Sequence, residues 1–167
     1  LSKMDYIQLF ASLSLVVMLG HEIYKDYVNQ IVKIKYFDKT LPELECHGDW
    51  IDLYNKEEVS LKVSEHKLID LNVAIKLPKG YEAHILPRSS TFKNYGLLIA
   101  NSMGVVDNAY CGDNDEWKLS AIATKEITIP KGSRIAQFRI IPSQNVKLKT
   151  VENLGGIDRG GFGSSGK

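Results

Sequence analysis

A chain of 167 residues, 44% hydrophobic and 25% charged, has the composition of an ordinary soluble domain and is long enough for one sizeable core. Its formal net charge of +1 lacks the basic excess that a nucleic-acid binder uses against phosphate backbones, which excludes that class as a main function. Two cysteines, Cys46 and Cys111, are too few for a disulfide framework and lack metal-ligand spacing, so the reading is a reduced, cytoplasmic protein.

The first element is "YIQLFASLSLVVMLG" (6–20), fifteen positions without an acid or base. It is shorter than the ~20 apolar residues of a spanning helix, and Asp5 sits where a secretory leader would be basic, so no membrane partner is expected. Ile7, Phe10, Leu13 and Val17, then Ile23 and Tyr27, recur at helical steps and predict a packed or interface helix. The rival reading is a vector-derived or mis-started leader. From Ile31 the pattern changes to short β-rich runs: 31–37, 50–54, 59–63 and the alternating "LIDLNVAIKL" (68–77), read as one half-buried strand. Pro78-Lys79-Gly80 then turns the chain into "YEAHIL". Pro130-Lys131-Gly132 repeats the device between "ITI" (127–129) and "RIAQFRII" (134–141). Runs at 97–100, 117–124 and 146–150 complete an all-β sandwich, jelly roll or barrel. Three parts result: an extension 1–29, a β domain 30–152, and a glycine-rich tail 153–167, with six of the protein's 13 glycines in its last 13 residues.

Four polar clusters interrupt the strands. "LPRSST" (86–91) releases Arg88, Ser89 and Ser90 from a strand, a set that suits phosphate oxygens or, more plainly, caps a helix. "NSMGVVDNAYCGDNDEW" (101–117) places Asp107 where a strand leaves the core, as a carboxylate able to act as a base toward water. Tyr110 offers a flat face to a sugar or base, and Asn101 a donor and acceptor for a pyrimidine edge; the bland reading is a polar hairpin. "GSRIAQF" (132–138) carries Gln137 among apolar neighbours, a position equally natural on an exposed strand face. In the tail, Arg159, Ser164 and Ser165 can wrap a polyphosphate while Phe162 stacks on a base, where a plain flexible linker would need neither ring nor guanidinium.

In this order the clusters resemble the five motifs of the trimeric dUTPases, across residues 48–166. "GDWIDLY" (48–54) is similar to motif one, "PRSS" (87–90) to motif two and "GVVDNAY" (104–110) to motif three, while "GSRIAQF" and "RGGFGSSG" (159–166) are similar to motifs four and five. "GDNDEW" resembles the insertion of phage and Gram-positive members. The resemblance implies a distorted jelly-roll-like β fold, a homotrimer with shared sites, and Mg²⁺-assisted hydrolysis of dUTP to dUMP and pyrophosphate, which keeps uracil out of DNA and supplies dUMP. It implies Asp107 as the base activating water at the α-phosphorus, Tyr110 as the barrier to a ribose 2′-hydroxyl, and Asn101, with Gly104 in the same hairpin, as the uracil reader. Arg88, Ser89, Ser90 and Gln137 would hold the phosphates, and Asp52 would approach the metal through water. Arg159, Phe162, Gly163, Ser164 and Ser165 would form a lid over a neighbouring subunit's site. Here Arg159 stands three residues before Phe162, against five in the family. A dCTP deaminase shares the fold but needs a glutamate base that the chain does not offer. A nucleotide-switched regulatory role toward a protein partner is compatible with the same site.

Overall fold

The computed structural model describes residues 2–28 and 31–161. A 26-residue helix, α1 (Lys3–Val28), opens the chain. It starts on a reciprocal cap: the Ser2 amide donates to the Asp5 carboxylate at 2.6 Å, and the Asp5 amide to the Ser2 hydroxyl at 3.3 Å. The expected helix is therefore present, but its residues 3–21 do not pack on the domain. Residues 2–21 are exposed, with Ile7, Phe10, Leu13 and Val17 each about 60% or more accessible. Leu9, Leu15, Val16 and Leu19 make the remaining surface apolar as well, so no single stripe is available to dock against a sheet. By length and composition Lys3–His21 is long and apolar enough to cross a membrane, with a mean hydropathy of 1.3 over 19 residues, longer than the charge-free run alone suggested.

Strands make up the rest: β1 (Lys33–Tyr36), β2 (Ile51–Tyr54), β3 (Val59–Leu61), β4 (His66–Asp70), β5 (Val73–Lys76) and β6 (Tyr81–Leu86) precede a one-turn helix, α2 (Thr91–Tyr95). β7 (Leu97–Ile99), β8 (Gly104–Val106), β9 (Lys118–Ala123), β10 (Ile127–Ile129) and β11 (Arg134–Pro142) follow. Every pairing is antiparallel. The sheets run β2-β11-β6-β8, β4-β9-β7, β1-β5 and β10-β3. Their inner faces enclose one core in which Trp117 meets Phe138 edge-on, with ring centroids 5.1 Å apart.

Two expected strands come out differently. The run 68–77 is broken into β4 and β5, which belong to different sheets. The break is Asn72, at φ 67°, a left-handed conformation that asparagine tolerates. Its buried carboxamide accepts from the Asp38 amide at 2.6 Å and donates to the Asp38 carbonyl at 2.9 Å, which fixes the corner. Residues 146–150 form no strand; Val146 and Leu148 are 65% and 97% exposed, so their alternation meets no partner.

Both Pro-Lys-Gly turns form as expected. Gly80 and Gly132 take φ 80° and 74°, and Tyr81 and Ser133 close the turns onto the Pro78 and Pro130 carbonyls. Each turn is also clamped by an asparagine from elsewhere: Asn108 donates to the Pro78 and Tyr81 carbonyls, and Asn55 to those of Glu57 and Pro130.

Candidate active site

β6 organises the polar clusters. Its ladder to β11 ends where Gln137 faces Leu86, and Pro87, which has no N–H to extend the ladder, releases the chain. Gln137 also lies opposite Asp52 on β2, and its carboxamide donates to the Pro87 carbonyl at 3.0 Å. Arg88 is half-buried and donates through Nε to Asp52 Oδ1 at 2.6 Å and through Nη1 to Ser90 Oγ at 3.4 Å. Asp52 Oδ2 accepts from Arg134 Nη1 at 3.3 Å. Two guanidiniums around one carboxylate leave a net positive charge and several N–H donors turned outward, a combination suited to an anion. Thr91, 1% exposed, holds the loop to the sheet by accepting the Arg88 amide at 2.9 Å and donating to the Ile135 carbonyl at 3.0 Å. Ser90 occupies the N-cap position of α2, as the bland reading anticipated, but its side chain makes no capping hydrogen bond. Ser89 is exposed on the same loop.

The second cluster borders a cavity of about 410 Å³ lined by Asn101, Gly104, Asp107, Tyr110, Glu116 and Trp117, with Leu68, Ile85 and Lys118 among its other walls. A tight turn after β7 presents Asn101, and β8 returns along β6 with Gly104 opposite Ile85 and Val106 opposite Ala83. Asp107 leaves the strand there, its Oδ1 accepting the Ala109 amide at 2.7 Å. Asn108, by clamping the Pro78 turn, anchors that departure point. Tyr110 is 42% exposed and its hydroxyl donates to the Glu116 carbonyl at 3.4 Å. The acidic stretch 112–116 is a turn, closed by the Gly112 amide on Asp115. Among the described residues no group of three His, Cys, Asp or Glu side chains could hold a metal.

None of Arg88, Ser89, Ser90 and Gln137 lines the cavity. Asp107 follows the residue opposite Ala83, whereas Arg88 lies beyond Leu86, five residues past Ala83, or roughly 17 Å at strand rise. Arg159 lies on an exposed stretch without strand or helix; Phe162, Gly163, Ser164 and Ser165 fall outside the described residues. Sequence reasoning missed Arg134, Thr91, Asn108 and Glu116. Each sits within or beside a quoted motif, but its partner comes from a distant part of the chain.

An antiparallel jelly-roll-like domain with a guanidinium-bearing loop after one strand and a cavity of about 410 Å³ beside that strand has the features of a nucleotide-handling β protein. Residues 48–166 match the family model described as dUTPase. The SPbeta prophage-derived deoxyuridine 5′-triphosphate nucleotidohydrolase of Bacillus subtilis (strain 168) is 51% identical over 138 residues, covering 81% of this chain and 97% of that protein. The dUTPase of Staphylococcus bacteriophage 80alpha, solved with dUpNHpp, superposes with a TM-score of 0.69 at 24% identity, over 82% of this chain and 99% of that one. A mutant dUTPase from S. aureus phage phi11, described with a coordinated structural Mg(II) ion, gives 0.66 at 19% identity, over 75% and 99%. The chain belongs to the dUTPase family.

Proposed function

We propose that the protein hydrolyses dUTP to dUMP and pyrophosphate, with Asp107 as the base that orients and deprotonates the attacking water. The observation carrying this reading is the pairing of a 410 Å³ cavity bearing Asn101, Gly104, Asp107 and Tyr110 with a separate, net-positive loop bearing Arg88, Ser89 and Ser90 beside Gln137. Asn101 and the hairpin backbone read the uracil edge, and Tyr110 lies flat against the deoxyribose. The phosphates are bound by Arg88, the two serines and Gln137, which draw off charge as the bridging oxygen departs. Positioning and charge withdrawal supply most of what phosphoryl transfer demands of a protein.

We infer a homotrimer whose sites combine the Asp107 hairpin of one copy with the Arg88 loop of another, a reading supported by the absence of Arg88, Ser89, Ser90 and Gln137 from the walls of the Asp107 cavity. Exposed apolar side chains on β4, β7 and β8 (Leu68, Leu98 and Val105, each 50% or more accessible) give copies a surface to bury. The tail 153–167, with Arg159, Phe162, Gly163, Ser164 and Ser165, reaches a neighbour's site as a lid. Both Asp52 oxygens face guanidiniums, so the residues fit Mg²⁺ only as an ion carried by the triphosphate and its waters, with Asp52 outside the first coordination sphere. When bound, the ion supplies charge neutralisation to the phosphates. Both cysteines are free thiols, which supports a reducing, cytoplasmic setting.

The test is a pyrophosphate-release assay across dUTP, UTP, dTTP and dCTP with wild type and Asp107→Asn. Hydrolysis confined to dUTP is expected, and the variant should lose ~10²-fold or more in kcat while binding a non-hydrolysable dUTP analogue unchanged. A kcat within tenfold of wild type removes Asp107 from the base role, and ammonia release from dCTP overturns the hydrolase reading.

A further inference from the structure

From one wall of the cavity an ionic network extends to Lys56 and Asp70, which lie outside every quoted motif. Lys56 Nζ, on the segment after β2, reaches Glu116 Oε2 at 2.7 Å and Asp70 Oδ2 at 3.2 Å. Glu116 Oε1 accepts the Asn72 amide at 3.1 Å. Lys118 pairs with Asp70 from the outer side. Glu116 is buried, with 8% of its surface accessible, and Lys56 also lies over the Phe37 ring, 5.4 Å from its centroid. Burial alone lowers the Lys56 pKa, but hydrogen bonds to Glu116 and Asp70 and their charges outweigh it, and the ammonium is held above its ordinary value. A buried carboxylate with this many partners has one position. Its own carbonyl is the acceptor for the Tyr110 hydroxyl, and flanking bonds from the Trp117 amide to the Val73 carbonyl and from the Leu71 amide to the Trp117 carbonyl fix the same stretch of backbone.

We infer that the Lys56–Glu116 ion pair is a positioning element for sugar discrimination: it sets the carbonyl that holds the Tyr110 ring over the deoxyribose face of the cavity. Tyr110 is 42% exposed on a loop of small and polar residues, Asn108 to Asp115, and the bond to that carbonyl restrains its ring. A ring that turns away admits a 2′-hydroxyl. Lys56 is not a wall of the cavity, and Glu116, which is one, has no contact with the nucleotide in this scheme; both act through Tyr110. The inference rests on the proposed role of Tyr110.

The experiment is a double-mutant cycle read as the ratio of kcat/KM for dUTP to that for UTP, on full-length protein whose circular dichroism matches wild type. Tyr110→Phe removes only the hydroxyl, Lys56→Met only the charge behind Glu116, and a third protein carries both. Each single change is expected to lower the ratio three- to tenfold, the range of one lost hydrogen bond. The double variant should fall no further than the lower single, because both act on one contact. Lys56→Arg, which keeps the charge, should retain the wild-type ratio. Glu116→Gln provides the same reading if Lys56→Met does not fold. A ratio unchanged in Lys56→Met and Glu116→Gln, or a double variant showing the product of the two single effects, overturns the inference. Tyr110→Ala separates the levels: if it leaves the ratio unchanged, the sugar-barrier reading falls and this inference with it. If it relaxes the ratio while the Lys56 and Glu116 variants do not, only the inference falls.

Discussion

Gly104→Ala tests the cavity at its tightest point. Gly104 lies opposite Ile85 in the β6–β8 pair, and both residues line the cavity. A Cβ built on Gly104 would stand 3.0 Å from the Ile85 Cβ, with two further Ile85 carbons at 3.5 and 3.6 Å. Opposed Cβ atoms in an antiparallel pair normally lie about 4.5–5.5 Å apart, so at 3.0 Å the strands must give by a few tenths of an ångström. The Ile85 Cβ is fixed to its own backbone and cannot swing aside, and the residue is only 2% exposed. Overpacking of this kind costs about 1–3 kcal/mol, and at about 3 °C per kcal/mol for a chain of this size Tm should fall by ~3–9 °C. Because β8 carries the chain into Asp107, the same displacement should raise KM for dUTP several-fold. Thermal unfolding at fixed protein concentration and steady-state pyrophosphate release measure the two effects. Gly48→Ala, where a new Cβ meets nothing within 4 Å, is the control expected to change neither. A Gly104→Ala protein with Tm within 1 °C and KM within twofold of wild type would refute the steric reasoning.

Thr91→Val keeps the shape of a buried side chain but removes both the acceptor for the Arg88 amide and the donor to Ile135. It should cost ~1–3 kcal/mol in urea unfolding and raise KM more than it lowers kcat, since the loop it tethers is the proposed phosphate site. Acid stability follows from Asp38 and Asp70. Hydrogen bonds from Lys131 and Thr40 hold Asp38 well below the carboxylate range. At Asp70, burial pushes the pKa up, but the bonds from Lys118 and Lys56 prevail and the net direction is down. Depressed folded-state values stabilise above the unfolded carboxylate pKa near ~4, and that contribution is lost as pH falls below it. Urea midpoints should therefore stay flat from pH 5 to 8 and drop below ~4; in Asp70→Asn the acid drop should be smaller.

Much of this was legible in the chain because it is local. The alternation at 134–141, the two Pro-Lys-Gly turns and the short runs at 50–54 and 117–124 carry their own signals, and strands form within each of these runs. What the sequence did not disclose depends on distant partners. The corner at Asn72 exists because its carboxamide finds Asp38, 34 positions away. Thr91 matters through Ile135, and Glu116 through Lys56, 60 positions away. The run 146–150 failed for the converse reason: alternation gives a strand two faces but no neighbour to pair with.

The distance along β6 has a consequence for inheritance. If sites are shared between copies, a lesion at Arg88 and a lesion at Asp107 spoil different halves of the machinery, although each alone silences every site of a uniform assembly. Two silent alleles expressed together then contribute one sound phosphate loop and one sound hairpin, and a fraction of the mixed sites is built wholly from intact parts. Under such sharing, lesions at Arg88 and at Asp107 complement one another within a single gene.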